Sequence, residues 1–341
     1  MPKIIGENID TLCNFQMLPG SGDLTRGETQ KFYKAARQAQ KDPLTYLAAT
    51  ALAERVKPGD NVLIVTGARN ELVLPYGETD GPIGGVALAR ACYFGLGANS
   101  IVTVEESNKE PTEATIRASG LYLREPDMLG KVQGICVLDF YPLGPEAGKQ
   151  HARWLMDTYN PKAIMFIEKH GPNAKGHFHT VTGREIDMNG MANTQYLLEI
   201  AKEQDVVTIG MGDGGNEIGN GVIYDAVREI SPWGKKCLCP CNDGIATVSA
   251  TDIFVATSIS NWGAYGICAM LAFLKKDVNI MHDEDTERRM VEACAYFGSV
   301  DGIAMIPLPK VDGISIKGGQ AFVTLLRELV VNGLSNVARH V

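Results

Sequence analysis

Short runs rich in Val and Ile alternate with longer amphipathic stretches along most of this chain. Such runs, bounded by glycine and polar residues, are typical of buried β-strands. The stretches between them have apolar residues at helical spacing and are predicted to form helices. Six strands are predicted, at residues 61–66, 100–104, 134–140, 163–167, 206–209 and 252–257.

Strands that alternate with helices need crossover connections, which favour a mostly parallel sheet covered by helices on both faces. The predicted fold class is therefore α/β and Rossmann-like. The amphipathic stretches lie at residues 44–56, 84–94, 146–159, 194–203 and 262–275. The C-terminal part is expected to be helix-rich, with helices at 283–297 and 318–331 and one further strand at 304–307.

The length of 341 residues suits two domains, although a single α/β unit of this size is common. A weak change in composition near residues 141–146 suggests a division between two lobes. We expect a helical lead-in at residues 1–58, followed by the α/β domain at residues 59–341.

The charge balance constrains the partners of this protein. A formal net charge of −8 and a sequence pI near 5.4 disfavour nucleic acid and anionic membranes. A small molecule is the expected ligand, and a homo-oligomer is left open. The sequence has no apolar run of the ~18 residues needed for a membrane span and no recognisable N-terminal targeting signal. The expected location is the cytoplasm.

Eight cysteines are spread along the chain, mostly in apolar surroundings, which is typical of reduced, buried thiols. Cys237, Cys239 and Cys241 differ because they alternate, and on a strand their thiols would share one face. A soft metal ion could bind there, but a fourth ligand with a recognised spacing is missing. Structural cysteines are the preferred interpretation.

Four glycine-rich loops follow predicted strands and also contain polar residues, at 67–84, 168–171, 210–219 and 258–266. In an open parallel sheet, the binding crevice lies beyond the carboxyl ends of the strands. The four loops are therefore expected to meet at one edge of the sheet and to form one site.

The third loop has some features of a dinucleotide-binding loop, since Gly210, Gly212 and Gly215 follow a predicted strand. Asp213 and Glu217 argue against that interpretation, because a diphosphate would lie against two carboxylates where bare amides are needed. The sequence also has no P-loop motif. No nucleotide cofactor is expected.

The same carboxylates suit a hard divalent cation, Mn²⁺ or Mg²⁺, which prefers oxygen ligands. Asp213, Glu217 and Glu78 are the candidate metal ligands, and Asp80 could add to them. In the alternative interpretation, Asp213 caps a following helix and Glu217 is a solvated acid in its first turn.

Several other polar residues have two interpretations each. Glu168, at a strand end, is a candidate base or substrate anchor, or else a partner in a surface salt bridge. His177 and His179 would share a strand face and could bind metal or relay protons, or form an ordinary loop pair. Asn261 is a natural N-cap for the helix that begins beside it.

Four segments, in this order, resemble the C-terminal domain of the D-glutamate cyclase family: 77–84 (GETDGPIG), 212–219 (GDGGNEIG), 260–263 (SNWG) and 300–302 (VDG). The resemblance implies a lyase that dehydrates D-glutamate reversibly to 5-oxo-D-proline without ATP, with a divalent metal, typically manganese. Two positions depart from the family pattern: residues 219–221 are Gly-Asn-Gly instead of Gly-Met-Gly, and Lys169-His170 replaces Arg-Pro. The second change replaces a bidentate guanidinium with an ammonium.

These inferences define a candidate site. The expected catalytic residues are Glu78, Asp80, Glu168, Asp213 and Glu217. The expected substrate-binding residues are Thr79, Lys169, His179, Gly214, Gly215, Asn216, Asn261 and Trp262.

In the expected mechanism, the metal polarises the γ-carboxylate while Glu78 or Glu217 transfers the proton. The amides of Gly214 and Gly215, at a helix N-terminus, stabilise the oxyanion. Two alternatives stay open: a hydrolase or lyase of another lactam, hydantoin or cyclic imide, and a non-catalytic amino-acid-binding protein.

Overall fold

The computed structural model of the protein describes residues 1–17, 27–132 and 134–335. The strands in this part of the chain are β1 (Asn61–Val65), β2 (Asn99–Val104), β3 (Tyr122–Leu123), β4 (Ile135–Phe140), β5 (Ala163–Ile167), β6 (Phe178–His179), β7 (Glu185–Ile186), β8 (Val207–Gly212), β9 (Ile253–Ala256), β10 (Lys310–Val311) and β11 (Ile314–Ser315). Seven of these strands form one parallel sheet in the order β3-β4-β2-β1-β5-β8-β9. The six strands predicted for this sheet are confirmed. The prediction missed β3, which has only two residues.

Helices cover the sheet and account for most of the remaining regular structure. In the described ranges they are α1 (Pro2–Cys13), α2 (Glu28–Gln40), α3 (Leu44–Arg55), α4 (Pro82–Leu96), α5 (Lys109–Ala118), α6 (Pro145–Tyr159), α7 (Tyr196–Glu203), α8 (Tyr224–Ile230), α9 (Ser260–Lys275), α10 (Glu284–Tyr296) and α11 (Ile316–Leu334). None of the helices in these ranges combines the length and apolar character required to cross a bilayer.

The central strand β1 shows how the sheet separates two cores. Successive side chains of a strand point to opposite faces, so Val62 and Ile64 pack into one core while Leu63 and Val65 pack into the other. The first core is shared with α1, α3, α4 and α9, and the second with α6 and α7. The α/β fold class with helices on both faces is thus confirmed.

Helix α9 is buried from residue 260 to residue 273 because α1, α3, α4 and α11 surround it. A helix that is apolar on all sides is expected in such a position, whereas a one-sided apolar stripe was predicted here. The helices of the expected lead-in, α1 to α3, contribute side chains such as Ile9 and Leu52 to the same core.

The strand predicted at residues 304–307 is wrong. This segment forms a turn in which Asp301 accepts hydrogen bonds from the amides of Ala304 and Met305. The antiparallel hairpin of β10 and β11 follows instead, and Asp312-Gly313 form its turn with positive φ angles. Asp-Gly between two apolar residues is a strong hairpin signal, which the strand prediction overlooked.

The strand order places a crevice beside β1. From β1 the sheet extends through β2 in one direction and through β5 in the other, which makes the gap between β1 and β5 a topological switch point. Ligands of open α/β sheets bind at the carboxyl edge beside such a point. The loops that follow β1, β5 and β8 all begin at this edge.

Candidate active site

A pocket of about 180 Å³ opens at the carboxyl ends of β1, β5 and β8. Its polar lining includes Gln16, Glu28, Thr29, Arg69, Asn70, Glu78, Glu168, His170, Thr180, Asp213, Asn216, Glu217 and Asp312. An apolar rim is contributed by the 73–74 loop, the β6–β7 hairpin and the 303–305 turn. The polar wall is dominated by acids, so the pocket suits a cationic ligand or a metal ion.

Asp213 belongs to two clusters of three acidic residues each. Together with Glu168 and Glu217 it forms one group of three, and with Asp80 and Asp312 it forms another. Within each group the nearest carboxylate oxygens lie within 4.8 Å of one another. Oxygen donors at this spacing suit a hard divalent cation. Glu78, an expected metal ligand, lines the same pocket but belongs to neither group.

The acids of the pocket hold their protons unusually tightly. Burial, followed by repulsion from neighbouring carboxylates, raises the pKa of Glu78 to about 8 and lifts the pKa values of Glu168, Asp213 and Asp312 well above the usual range. Burial also raises the pKa of Glu217 to about 7, although backbone amides oppose the shift. Without a cation, this pocket therefore retains protons at neutral pH.

The glycine run after β8 is shaped by Glu217. The amides of Gly214 and Gly215 donate to the Glu217 carboxylate at 3.2 and 3.0 Å, and Asn220 Nδ2 donates at 2.8 Å. The expected oxyanion site at a helix N-terminus is therefore wrong, because both amides already have an acceptor and α8 begins only at residue 224. Because α8 begins only at residue 224, Asp213 is not a helix cap either.

Glu168 and Lys169 are neighbours in sequence but point in different directions. Glu168 lines the pocket with a positive φ of 49° and accepts a hydrogen bond of 2.6 Å from Ser260 Oγ. The Lys169 ammonium is buried behind the pocket, where it donates to Glu105 at 2.6 Å and to the Gly67 carbonyl. Lys169 is thus committed to a buried ion pair and does not line the pocket.

Asp80 and Asn261 cap each other's helices. Asp80 accepts hydrogen bonds from the amides of Ser260 and Asn261 at the start of α9, at 2.9 and 2.7 Å. Asn261 Oδ1 accepts from the amides of Gly81 and Gly84 at the start of α4, at 2.9 and 2.6 Å. Asn261 was predicted to cap α9, the helix that begins beside it, but it caps α4 instead. The exchange fixes the loop after β1 against the loop after β9.

Three expected substrate-binding side chains are held away from the pocket. Thr79 Oγ1 donates to the Lys310 carbonyl at 2.7 Å, and the Trp262 ring stacks on Phe322 with 4.1 Å between centroids. The ring of His179 faces the cysteine run 237–241. In contrast, Gly214 and Asn216 line the pocket, and Asn216 Oδ1 is a buried acceptor with no hydrogen-bond partner among the described residues.

Arg69, His170 and Asp312 are among the pocket residues that the prediction missed. Arg69 is the only Lys or Arg on the pocket wall in the described part of the chain, and its guanidinium donates to the Gly190 carbonyl. Burial lowers the pKa of His170 to about 4, which keeps the ring neutral. Asp312 reaches the pocket from the C-terminal hairpin. Arg69 and His170 follow strand ends, so their positions offered a signal, whereas Asp312 required knowledge of the hairpin.

Comparison with known proteins gives two matches. The family model described as "D-glutamate cyclase-like, C-terminal" matches residues 24–327. The human protein "D-glutamate cyclase, mitochondrial" is 26% identical over 223 residues, which cover 63% of this chain and 33% of the human protein. The aligned region thus spans about a third of that relative's length.

Proposed function

This chain belongs to the D-glutamate cyclase-like family, and from that premise we propose that it interconverts D-glutamate and 5-oxo-D-proline as a metal-assisted hydro-lyase. The observation that supports the proposal is the pocket itself. Its acid cluster has raised pKa values and lies beside Arg69, the one guanidinium that lines the pocket in the described part of the chain. The acids suit the substrate ammonium and a metal ion, and the guanidinium suits one of the two substrate carboxylates.

The donor set fits a divalent metal of the manganese type. Asp213, Glu168 and Glu217 would hold it, because their oxygens are mutually close and each residue retains a lone pair after its hydrogen bonds. Asp80 accepts hydrogen bonds from the amides of Gly81, Ser260 and Asn261 and does not line the pocket, so we assign it a structural role beside the site. A bound divalent metal would supply Lewis-acid polarisation of a substrate carboxylate.

The protein side chains provide the remaining recognition. Arg69 can pair with a substrate carboxylate through charge-assisted hydrogen bonds, a role for which Lys169 is unavailable because it is buried against Glu105. The free Oδ1 of Asn216 can accept from the substrate amine. The neutral ring of His170 adds a donor or acceptor without adding charge.

Cyclisation requires that protons be moved between two substrate atoms. The N–Cδ bond forms and one Cδ–O bond breaks, while the substrate ammonium gives up two protons that leave with the departing oxygen as water. Glu78 is suited to this transfer because its pKa of about 8 lies near neutral pH, where it can both accept and return a proton. The enzyme ends the cycle in its starting protonation state.

The test is a direct assay. Purified protein is incubated with Mn²⁺ and either D-glutamate or 5-oxo-D-proline, and interconversion is followed by chiral chromatography, with L-glutamate as the comparator. We expect turnover of the D compounds. The absence of turnover of either compound with Mn²⁺ present would reject the substrate, and conversion of a hydantoin or another cyclic amide instead would keep a lyase or hydrolase while replacing the substrate.

A further inference from the structure

We propose that His179, Cys237, Cys239 and Cys241 form a second metal site that binds a soft divalent ion such as Zn²⁺ and is separate from the acidic pocket. The four side chains offer one imidazole nitrogen and three sulfurs, all within 4.8 Å of one another. This donor set is typical of closed structural zinc sites. The inference does not depend on the proposed reaction.

The distances within this cluster, which we call the thiol cluster, match a tetrahedral arrangement. Cys237 Sγ lies 3.5 Å from Cys239 Sγ and 3.3 Å from Cys241 Sγ. His179 Nε2 lies 3.3 Å from Cys239 Sγ and 3.7 Å from Cys241 Sγ. Sulfurs bound at about 2.3 Å to one tetrahedral zinc lie roughly 3.8 Å apart, so small shifts would admit the ion.

The fold supplies the fourth ligand that the sequence spacing did not reveal. Residues 237–241 form a bend and a turn and no strand, which allows three alternating thiols to converge on one point. His179 comes from β6, 60 residues before Cys239. This separation matches no recognised zinc-site spacing, so the sequence pattern did not identify His179 as the fourth ligand.

A hydrogen-bond donor lies beside one of the sulfurs, as is common around metal-bound thiolates. Asn173 Nδ2 donates to Cys241 Sγ at 3.4 Å. Donors of this kind stabilise negative sulfur and tune metal affinity. Cys237, Cys241 and His179 are buried, and Cys239 is partly buried, so four ligands leave little room for a substrate.

The position of the thiol cluster suggests its task. The segment 231–252, between α8 and β9, contains no helix or strand, and irregular segments longer than about 15 residues are uncommon in compact folds. It lies against the glycine run of the pocket, because the Thr247 amide donates to the Gly215 carbonyl. Asn216 Nδ2 in turn donates to the His179 carbonyl at 2.9 Å. A metal ion in the thiol cluster would therefore hold in place the two segments that contact Gly215 and Asn216 of the glycine run.

The first experiment measures bound metal. The full chain, with any tag removed, is purified under reducing conditions, dialysed against a weak chelator and analysed by mass spectrometry for metals. We expect about one equivalent of zinc per chain and at least a tenfold loss in Cys239→Ser and His179→Ala. Cys136→Ala, His151→Ala and Asp213→Asn serve as matched controls and should retain the zinc. Zinc lost equally from Asp213→Asn would place the ion in the acidic pocket and overturn the proposal.

A second measurement uses the wild-type chain, so it stands even where a variant fails to fold. Cobalt replaces the ion, and the absorption spectrum reports thiolate-to-cobalt charge transfer and tetrahedral coordination. Thiols in the metal-loaded protein should also react slowly with Ellman's reagent until a strong chelator is added. A chain that binds no zinc or cobalt, or whose thiols react at the same rate with and without chelator, would contradict the proposal.

Discussion

The acidic pocket and the thiol cluster are two groups of potential metal ligands in one chain, and they differ in both chemistry and origin. The pocket collects carboxylates from loops far apart in sequence, since Glu168 and Asp213 each follow a different parallel strand. The thiol cluster takes three of its four ligands from five consecutive residues in an irregular segment.

The difference teaches how each group is held in place. Hydrogen bonds from Ser260 and the glycine amides position the pocket acids before any ion binds, although the acids repel one another. The segment around the thiols lacks regular structure, so the proposed ion itself would supply much of its order. Under these two proposals, one site exchanges its ligand at an open pocket, whereas the other retains its ion.

The strongest test of this contrast is Asp213→Asn. Asp213 belongs to both carboxylate groups, so we expect turnover to fall by about 10²-fold or more if it holds the catalytic metal. Steady-state assays with D-glutamate and Mn²⁺ measure the loss, with Asp205→Asn as a surface control. Turnover close to that of the wild type would remove Asp213 from the metal site. Unchanged zinc content in the same variant would show that the two sites are independent.

Replacement of Arg69 by alanine should have the next largest effect. Loss of charge-assisted hydrogen bonds to a substrate carboxylate should raise KM by about 10- to 100-fold with a smaller change in kcat. Arg55→Ala is the matched control because Arg55 pairs with Asp205 on the surface. Equal KM values for the two variants would show that Arg69 does not contact the substrate.

The pH dependence of stability provides a third test of the pocket. Acids whose pKa is higher in the folded than in the unfolded chain bind extra protons in the folded state. The free energy of unfolding therefore decreases as pH rises from about 4.5 to about 8, the window set by Glu78. His170 acts in the opposite sense, but only between about 4 and 6.5. Between pH 6.5 and 8 the acids dominate, and the Tm of the protein without added Mn²⁺ should fall.

Added Mn²⁺ should raise Tm more at pH 8 than at pH 6.5, because the cation replaces the protons that the acids lose. Thermal unfolding followed by circular dichroism at both pH values, with and without Mn²⁺, measures the effect. Any zinc bound in the thiol cluster is left in place throughout. A Tm without Mn²⁺ that is constant or rises between pH 6.5 and 8 would contradict the buried acid cluster.

The smallest expected effect is that of Ser260→Ala. Removing the hydroxyl that donates to Glu168 should cost about 1 kcal/mol and lower kcat/KM by roughly three- to tenfold. Ser258→Ala is the control, since its hydroxyl donates to backbone carbonyls and not to a pocket acid. A larger loss in Ser258→Ala than in Ser260→Ala would show that packing, and not the Glu168 contact, governs the site.

Most of the fold was predictable from local patterns. Alternating strand and helix signals gave the six main strands, because buried parallel strands leave continuous Val- and Ile-rich runs. The 304–307 segment failed because its apolar residues lie in a turn held by Asp301, and a short apolar run alone does not distinguish these states. Loops that follow parallel strands were likewise expected to meet at one edge of the sheet, and Glu78, Glu168, Asp213 and Glu217 from these loops do line one pocket.

What the sequence determined by itself was the residue chemistry at each strand end: acids and glycines where a parallel sheet opens its crevice. Only the tertiary structure decided which side chains face that crevice. In the folded chain Lys169 pairs with Glu105, and Asp80 and Asn261 cap each other's helices. Asp312 reaches the pocket from a distant hairpin, and His179 lies beside three thiols. The reason is physical: these contacts join residues far apart in the chain, and local spacing has no information about which distant partner satisfies a buried charge or amide.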